Sequence, residues 1–273
     1  GPVQVAQQPG DADDEGRDVD LRKLPVIVHS EEDGGPYIGS AMCVTKDPDT
    51  GIQNVAMLRM QIQDRNRTGT SFAPRHSWMH YHKYEARNEP MPMAAVIGHH
   101  PVLDLATNSS VPYGLDEFQV AGSLLKEPLE MVRCETVDLM VPAHAEIVIE
   151  GVLIPNKRVV EGPFGEAPGY LGPQRYTTCA EYQIRAINYR NGAMYQSVIT
   201  PEGDKPWMDL PREGAYLRRC REAVPGVTAV CKQGRHAHYN VFISMKKMSE
   251  GDPGRAAAAA LTFDHTKNVF VFD

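Results

Sequence analysis

From Leu24 onward, short apolar runs alternate with clusters of turn-forming residues, a pattern of strands rather than of long helices. Strand-like runs cover Pro25 to Val28, Gly39 to Thr45, Val55 to Ile62, Ala94 to Ile97, Glu146 to Leu153, Thr178 to Tyr189 and Ala193 to Ile199. Asp47-Pro48-Asp49-Thr50-Gly51 marks a turn between two of them, and Arg190-Asn191-Gly192 reads as a hairpin because Asn-Gly accommodates positive φ. Helical spacing appears over Leu115 to Leu125, opened by Asp116-Glu117, whose charges suit the positive end of a helix. Asp209 to Ala223 and Pro253 to Leu261 are further helices, the last built on an alanine run. Val227 to Cys231, Tyr239 to Met245 and Val269 to Phe272 then supply strands of a small terminal α/β unit. The expected fold is α+β: a largely antiparallel sheet or barrel over residues 21–200, followed by an α/β piece over 201–273. Residues 1–20, rich in Gly, Gln, Asp and Glu, are expected to form a flexible tail or linker. Gly1-Pro2 in place of an initiator methionine suggests a start inside a longer protein.

Composition narrows the function. A chain of 273 residues with 42% hydrophobic content can bury a sizeable core. Its net charge of −7 and the lack of a basic patch argue against nucleic acid. No apolar run approaches a membrane span and no charged-then-apolar leader opens the chain, so a cytoplasmic location is expected. Five cysteines without a CxxC pair read as free thiols, and Cys134 as a small core residue.

The strongest chemical signal is Glu161-Gly162-Pro163-Phe164-Gly165-Glu166, two carboxylates on a segment whose glycines and proline forbid ordinary helix. On its own the string is equally a surface turn with two incidental glutamates. Extended to Tyr170, however, EGPFGEAPGY resembles the signature of the UbiD-type decarboxylases. The resemblance continues through Asp33-Gly34-Gly35-Pro36-Tyr37, Asn54 to Arg59, Pro74-Arg75-His76, Ile97 to Pro101 and Cys134 to Ala143, in family order and at family-like spacing. It implies a split β-barrel of the flavin-reductase-like kind, reversible decarboxylation of an aromatic or α,β-unsaturated carboxylic acid, and prenylated FMN as cofactor. By the same resemblance Arg59 clamps the substrate carboxylate, a task that suits a planar, permanently charged fork. Glu161 pairs with Arg59, and Glu166 delivers a proton to the carbon that has lost CO2. Asn54, His76 and Glu117 hold a divalent metal, manganese first, beneath the flavin phosphate, with potassium as a further candidate ion. Ala56, Met57, Arg75, Thr107 and Asn108 are cofactor contacts in the same reading.

Alternatives accompany these assignments. Arg59 is otherwise a strand arginine reaching to water. His80 and His82, at alternating positions after His76, nominate a zinc pair, although loop or supporting roles fit them better. His144 near Glu146 is a generic structural pair. Family members carry further portions at both ends, so the rival to a decarboxylase is a non-catalytic or partner-dependent UbiD-like fragment or subunit, with a homo-oligomer or partner subunit completing the pocket. A flavin reductase of related barrel shape is a third class, which has no need of Arg59, Glu161 and Glu166 together.

Overall fold

The computed structural model describes residues 19–166, 171–172, 175–199, 205–232, 239–264 and 266–273, so the expected tail lies almost wholly outside the described residues. The first unit contains β1 (Tyr37–Ile38), β2 (Met42–Lys46), β3 (Gln53–Met57), β4 (Met60–Asp64), β5 (Arg67–Thr70), α1 (His76–Ala86), β6 (Met91–Ile97), α2 (Pro101–Thr107), α3 (Glu117–Leu125), β7 (Met131–Arg133), β8 (Met140–Pro142), β9 (Ile147–Glu161), β10 (Phe164–Gly165), β11 (Leu171–Gly172) and β12 (Tyr176–Tyr189). Eight strands form one antiparallel sheet in the order β1-β4-β5-β12-β9-β6-β2-β3.

The sheet is buried on both faces, and the two-residue period of a strand divides its side chains between two cores. Met91, Met93, Ala95 and Ile97 of β6 face a core that also takes Tyr81 of α1. Ala94 and Val96 face the opposite core with Leu103 of α2 and Phe118 of α3. The long β9–β12 pair carries register shifts that bend it, and Gly151 lies where a Cβ would stand 2.1 Å from the Gln183 carbonyl oxygen. Only glycine fits there.

The second unit holds α4 (Lys205–Ala223), β13 (Val227–Cys231), β14 (Asn240–Met245), α5 (Asp252–Leu261) and β15 (Asn268–Phe272). Its β14 and β15 run parallel and β13 antiparallel, with Val241, Ile243 and Met245 packed among Tyr216, Cys220, Ala256 and Ala260. Asn108–Ser110 and Glu166 also fall in this unit. Among the described residues no helix is long and apolar enough to cross a membrane.

Several expectations change. Pro25 to Val28 is not a strand: Ile27 and Val28 are exposed and have no ladder to join. The run from Val55 to Ile62 is two strands, broken at Leu58-Arg59. The Asn191-Gly192 turn forms, with Gly192 at φ 71°, but Ala193 to Ile199 does not return as a strand, and Met194 and Ile199 point to water. The His76 to His82 segment is a helix rather than a loop: Ser77, His80 and Tyr81 are buried at helical spacing, a face that alternating histidines obscure in the sequence.

Candidate active site and cation cluster

Arg59 sits in the corner between β3 and β4, and Glu161 ends β9. Neither is near the other in sequence, yet the Arg59 Nε and Nη2 atoms donate to Glu161 Oε1 and Oε2 at 2.9 and 3.0 Å, a bidentate pair. The Glu161 side chain is fully buried. The guanidinium carbon lies 5.1 Å from the Phe164 ring centre and 5.2 Å from that of Tyr176. Two aromatic faces therefore fix the plane that the carboxylate aligns. The Cys179 thiol, 3.7 Å from Glu161 Oε2, is pushed up to about 11 by burial and by that carboxylate. Tyr37, raised well above the phenol range chiefly by burial and then by Glu161, stays neutral beside it.

The loop that presents Glu161 is held by another of the sequence blocks. Gly34 N–H donates to the Pro163 carbonyl at 2.8 Å, Gly165 N–H to Asp33 Oδ1 at 2.8 Å, and the Gln61 side chain bridges Gly162 N–H and the Gly34 carbonyl. A Cβ on Gly34 would stand 2.4 Å from the Gly162 oxygen. Asp33-Gly34 is thus the mould against which Gly162 to Gly165 is shaped, a role that the sequence reading left unassigned. The paired glycines were its only signal.

At the other end of β3, Asn54 meets the first residues of two helices, His76 of α1 and Glu117 of α3. Asp116 caps α3 by accepting from Phe118 N–H, which fixes where Glu117 begins. With its oxygen turned outward, the Asn54 amide places Oδ1 3.2 Å from His76 Nδ1, and the same position is 3.3 Å from Glu117 Oε1. Three acceptors then face one another, an arrangement that needs a cation or proton among them. Turned the other way, the amide donates to both and accepts from Ser77 Oγ and Val55 N–H. Burial raises Glu117 to about 7 despite the Val55 N–H donating to it at 2.7 Å, and burial lowers His76 so that its imidazole is neutral. An amide oxygen, a neutral imidazole nitrogen and a carboxylate fit a hard divalent ion. Among the described residues no group of three His, Cys, Asp or Glu side chains is arranged to hold a metal.

The remaining expected residues are spread. Ala56 and Met57 lie half-buried at the end of β3, Arg75 is exposed at the N-cap of α1, and the Thr107 hydroxyl donates to the Asp104 carbonyl. The first unit by itself unites Arg59 with Glu161 but not with Glu166 or Asn108, which belong to the second. His80 and His82 do not form a zinc pair: on the helix His80 Nδ1 bonds Thr45 Oγ1 at 3.1 Å, while His82 faces Glu85 at 3.0 Å. His144 pairs with Glu130 at 2.6 Å rather than Glu146, which binds Arg190.

The chain belongs to the UbiD family, whose 3-octaprenyl-4-hydroxybenzoate carboxy-lyase Rift-related domain model matches residues 3–203. It is 34% identical over 258 residues to an anhydromevalonate phosphate decarboxylase of Methanothermobacter thermautotrophicus, covering 93% of this chain and 60% of that one. A phenolic acid decarboxylase of Sedimentibacter hydroxybenzoicus is 33% identical, covering 94% and 56%. The UbiD-class enzyme HmfF of Pelotomaculum thermopropionicum, solved in an evolved dimeric form with prFMN, superposes with a TM-score of 0.89 at 37% identity over 99% of this chain and 65% of that chain. The chain therefore spans about 60% of the length of these relatives.

Proposed function

We propose that this chain carries the decarboxylating centre of a prenylated-FMN-dependent carboxy-lyase acting on an aromatic or α,β-unsaturated carboxylic acid, and we read its eight-stranded sheet as the family's split barrel. The observation that carries this reading is the buried, bidentate Arg59–Glu161 pair, aligned between Phe164 and Tyr176. The cation cluster at Asn54 supports it: four residues separate Asn54 from Arg59, so the two lie at most about 17 Å apart, a span along which an elongated ligand can lie. Asn54, His76 and Glu117 would hold a divalent ion, manganese first, at the anionic end of that ligand, with potassium as a further candidate. Ala56, Met57, Arg75, Thr107 and Asn108 are the proposed remaining contacts. The modified flavin, when bound, supplies the electron sink for the pair left behind by departing CO2.

The chain's own residues do the rest. Arg59 orients the substrate carboxylate, and Glu161 fixes the guanidinium plane. Pairing also moderates the charge: an uncompensated guanidinium would hold the carboxylate tightly in the ground state and oppose its loss as neutral CO2. Glu166 returns the proton that the product carbon requires, so that carboxylate plus proton becomes decarboxylated product plus CO2. The free thiols at Cys43, Cys134, Cys179, Cys220 and Cys231 suit a reducing, cytoplasmic setting. A partner subunit or second copy is the proposed source of any further pocket wall.

The test is reconstitution of the full-length protein with prenylated FMN and manganese, followed by CO2 release from a panel of cinnamic, phenolic and heteroaromatic acids. Glu166→Gln is expected to lower turnover by about 10²- to 10⁴-fold with cofactor retained. Wild-type turnover in that variant removes Glu166 from the reaction, and wild-type turnover in Arg59→Ala overturns the carboxylate clamp.

A further inference from the structure

A second polar network lies behind the cation cluster and is not accounted for by the proposed chemistry. Asp47 closes the turn between β2 and β3, and its side chain is almost fully buried. Both of its oxygens accept from Lys83 Nζ of α1, at 2.9 and 2.7 Å, and the Tyr113 hydroxyl donates to Oδ2. Lys83 also donates to the Tyr113 oxygen at 3.1 Å, so the three side chains form a closed triangle. The Tyr113 ring meets His76 edge-on at 5.2 Å between centroids and His80 at 5.9 Å. A cavity of about 10 Å³, enough for one water-sized sphere, separates this network from Asn54 and His76.

The members of the triangle sit on the three segments that carry the cluster. Asp47 precedes β3, which bears Asn54. Lys83 is on α1, which opens with His76. Tyr113 is four residues before Glu117. One carboxylate, one ammonium and one phenol therefore tie the same three chain segments together a second time, beside the Val55 N–H bond to Glu117 and the Asn54 contacts with His76 and Ser77.

We propose that Asp47, Lys83 and Tyr113 are positioning residues for the cation cluster, holding Asn54, His76 and Glu117 at ligand spacing, a role that rests on the cation reading above. None of the three is a ligand. The knot acts through backbone placement and, at Tyr113, through the edge of the His76 ring.

The test is a titration of the full-length protein with MnCl2 in the presence of FMN, reading free Mn²⁺ by its electron paramagnetic resonance signal. Tyr113→Phe keeps the ring and removes only the hydroxyl; Asp47→Asn removes the charge that binds Lys83. Each is expected to weaken Mn²⁺ binding at least tenfold, and the double variant to do little worse than the stronger single, because the three groups act as a unit. Should Asp47→Asn fail to fold, Tyr113→Phe alone decides. Wild-type affinity in a folded Tyr113→Phe, with binding lost in Glu117→Gln, overturns the positioning role and leaves the cation site standing. Undiminished binding in Glu117→Gln, or no binding by the wild type, overturns the cation reading itself.

Discussion

The two ends of β3 solve opposite electrostatic problems. At the Arg59 end a full positive and a full negative charge meet in bidentate geometry out of water, so the pair is complete within the chain. At the Asn54 end a carboxylate, an imidazole and an amide converge, and burial raises the carboxyl until it is about half protonated at neutral pH. In the proposed function the first end orients an anion and the second is completed by a cation. A buried pair loses most when one member is removed, whereas a cluster of acceptors gains most when a missing member is supplied.

The largest test of this contrast is Arg59→Ala, which leaves Glu161 buried without its counter-charge. We expect a loss of about 3–5 kcal/mol in unfolding free energy, read from the urea midpoint. A loss below about 1 kcal/mol would mean that the pair is not the completed unit described here.

Next is the response to pH and metal. Glu117 has a folded value of about 7 against an ordinary 4.5, so its stabilising contribution is complete below about pH 4.5 and is lost as pH rises through about 7. In metal-free protein this is a slope of roughly 3 kcal/mol in total, since one unit is about 1.4 kcal/mol. Glu117→Gln should flatten it. Manganese, which favours the ionised carboxylate, should raise the melting temperature more at pH 8 than at pH 5, and an equal rise at both pH values would count against the acceptor cluster.

A smaller effect is expected from Gly34→Ala, whose new methyl would press on the Gly162 carbonyl and displace the loop bearing Glu161. The cost should be about 1–3 kcal/mol, with the change in amide hydrogen exchange concentrated at Gly162 to Gly165. Exchange unchanged there would detach the Asp33-Gly34 mould from the clamp. The smallest is Glu130→Gln at the exposed His144–Glu130 contact, where both side chains are more than 70% exposed, at 71% and 74%. Stability should move by no more than about 0.5 kcal/mol, the value that the same kind of contact has in water.

Periodicity located the elements that lie between two cores. The short apolar runs in β6 and β9, and the helical spacing at Leu115 to Leu125, are local signals because they are carried by neighbouring residues of one element. The break at Leu58-Arg59 was not legible, since both halves of that run are apolar and only the tertiary corner separates them. Nor was the helix at His76, where polar side chains face inward to meet Thr45 and Asp47. The strand expected after Gly192 failed for the converse reason: a good turn was present without a neighbour to pair the strand that follows it.

For the site, residue chemistry and motif order were present in the sequence itself: an arginine at the end of NVAMLR, acids flanking Gly-Pro-Phe-Gly, a histidine after Pro-Arg, and a glutamate behind an N-cap aspartate. What only the tertiary structure decided is which of these meet. Arg59 and Glu161 are 102 positions apart, and the register of β9 on β12 together with the corner after β3 brings them within hydrogen-bond reach. Asp47, Lys83 and Tyr113 carry no motif, and each looks locally like an ordinary turn, helix-surface or loop residue. Their meeting depends on long-range packing, because a one-dimensional pattern records the period of a side chain and not the partner that burial selects for it.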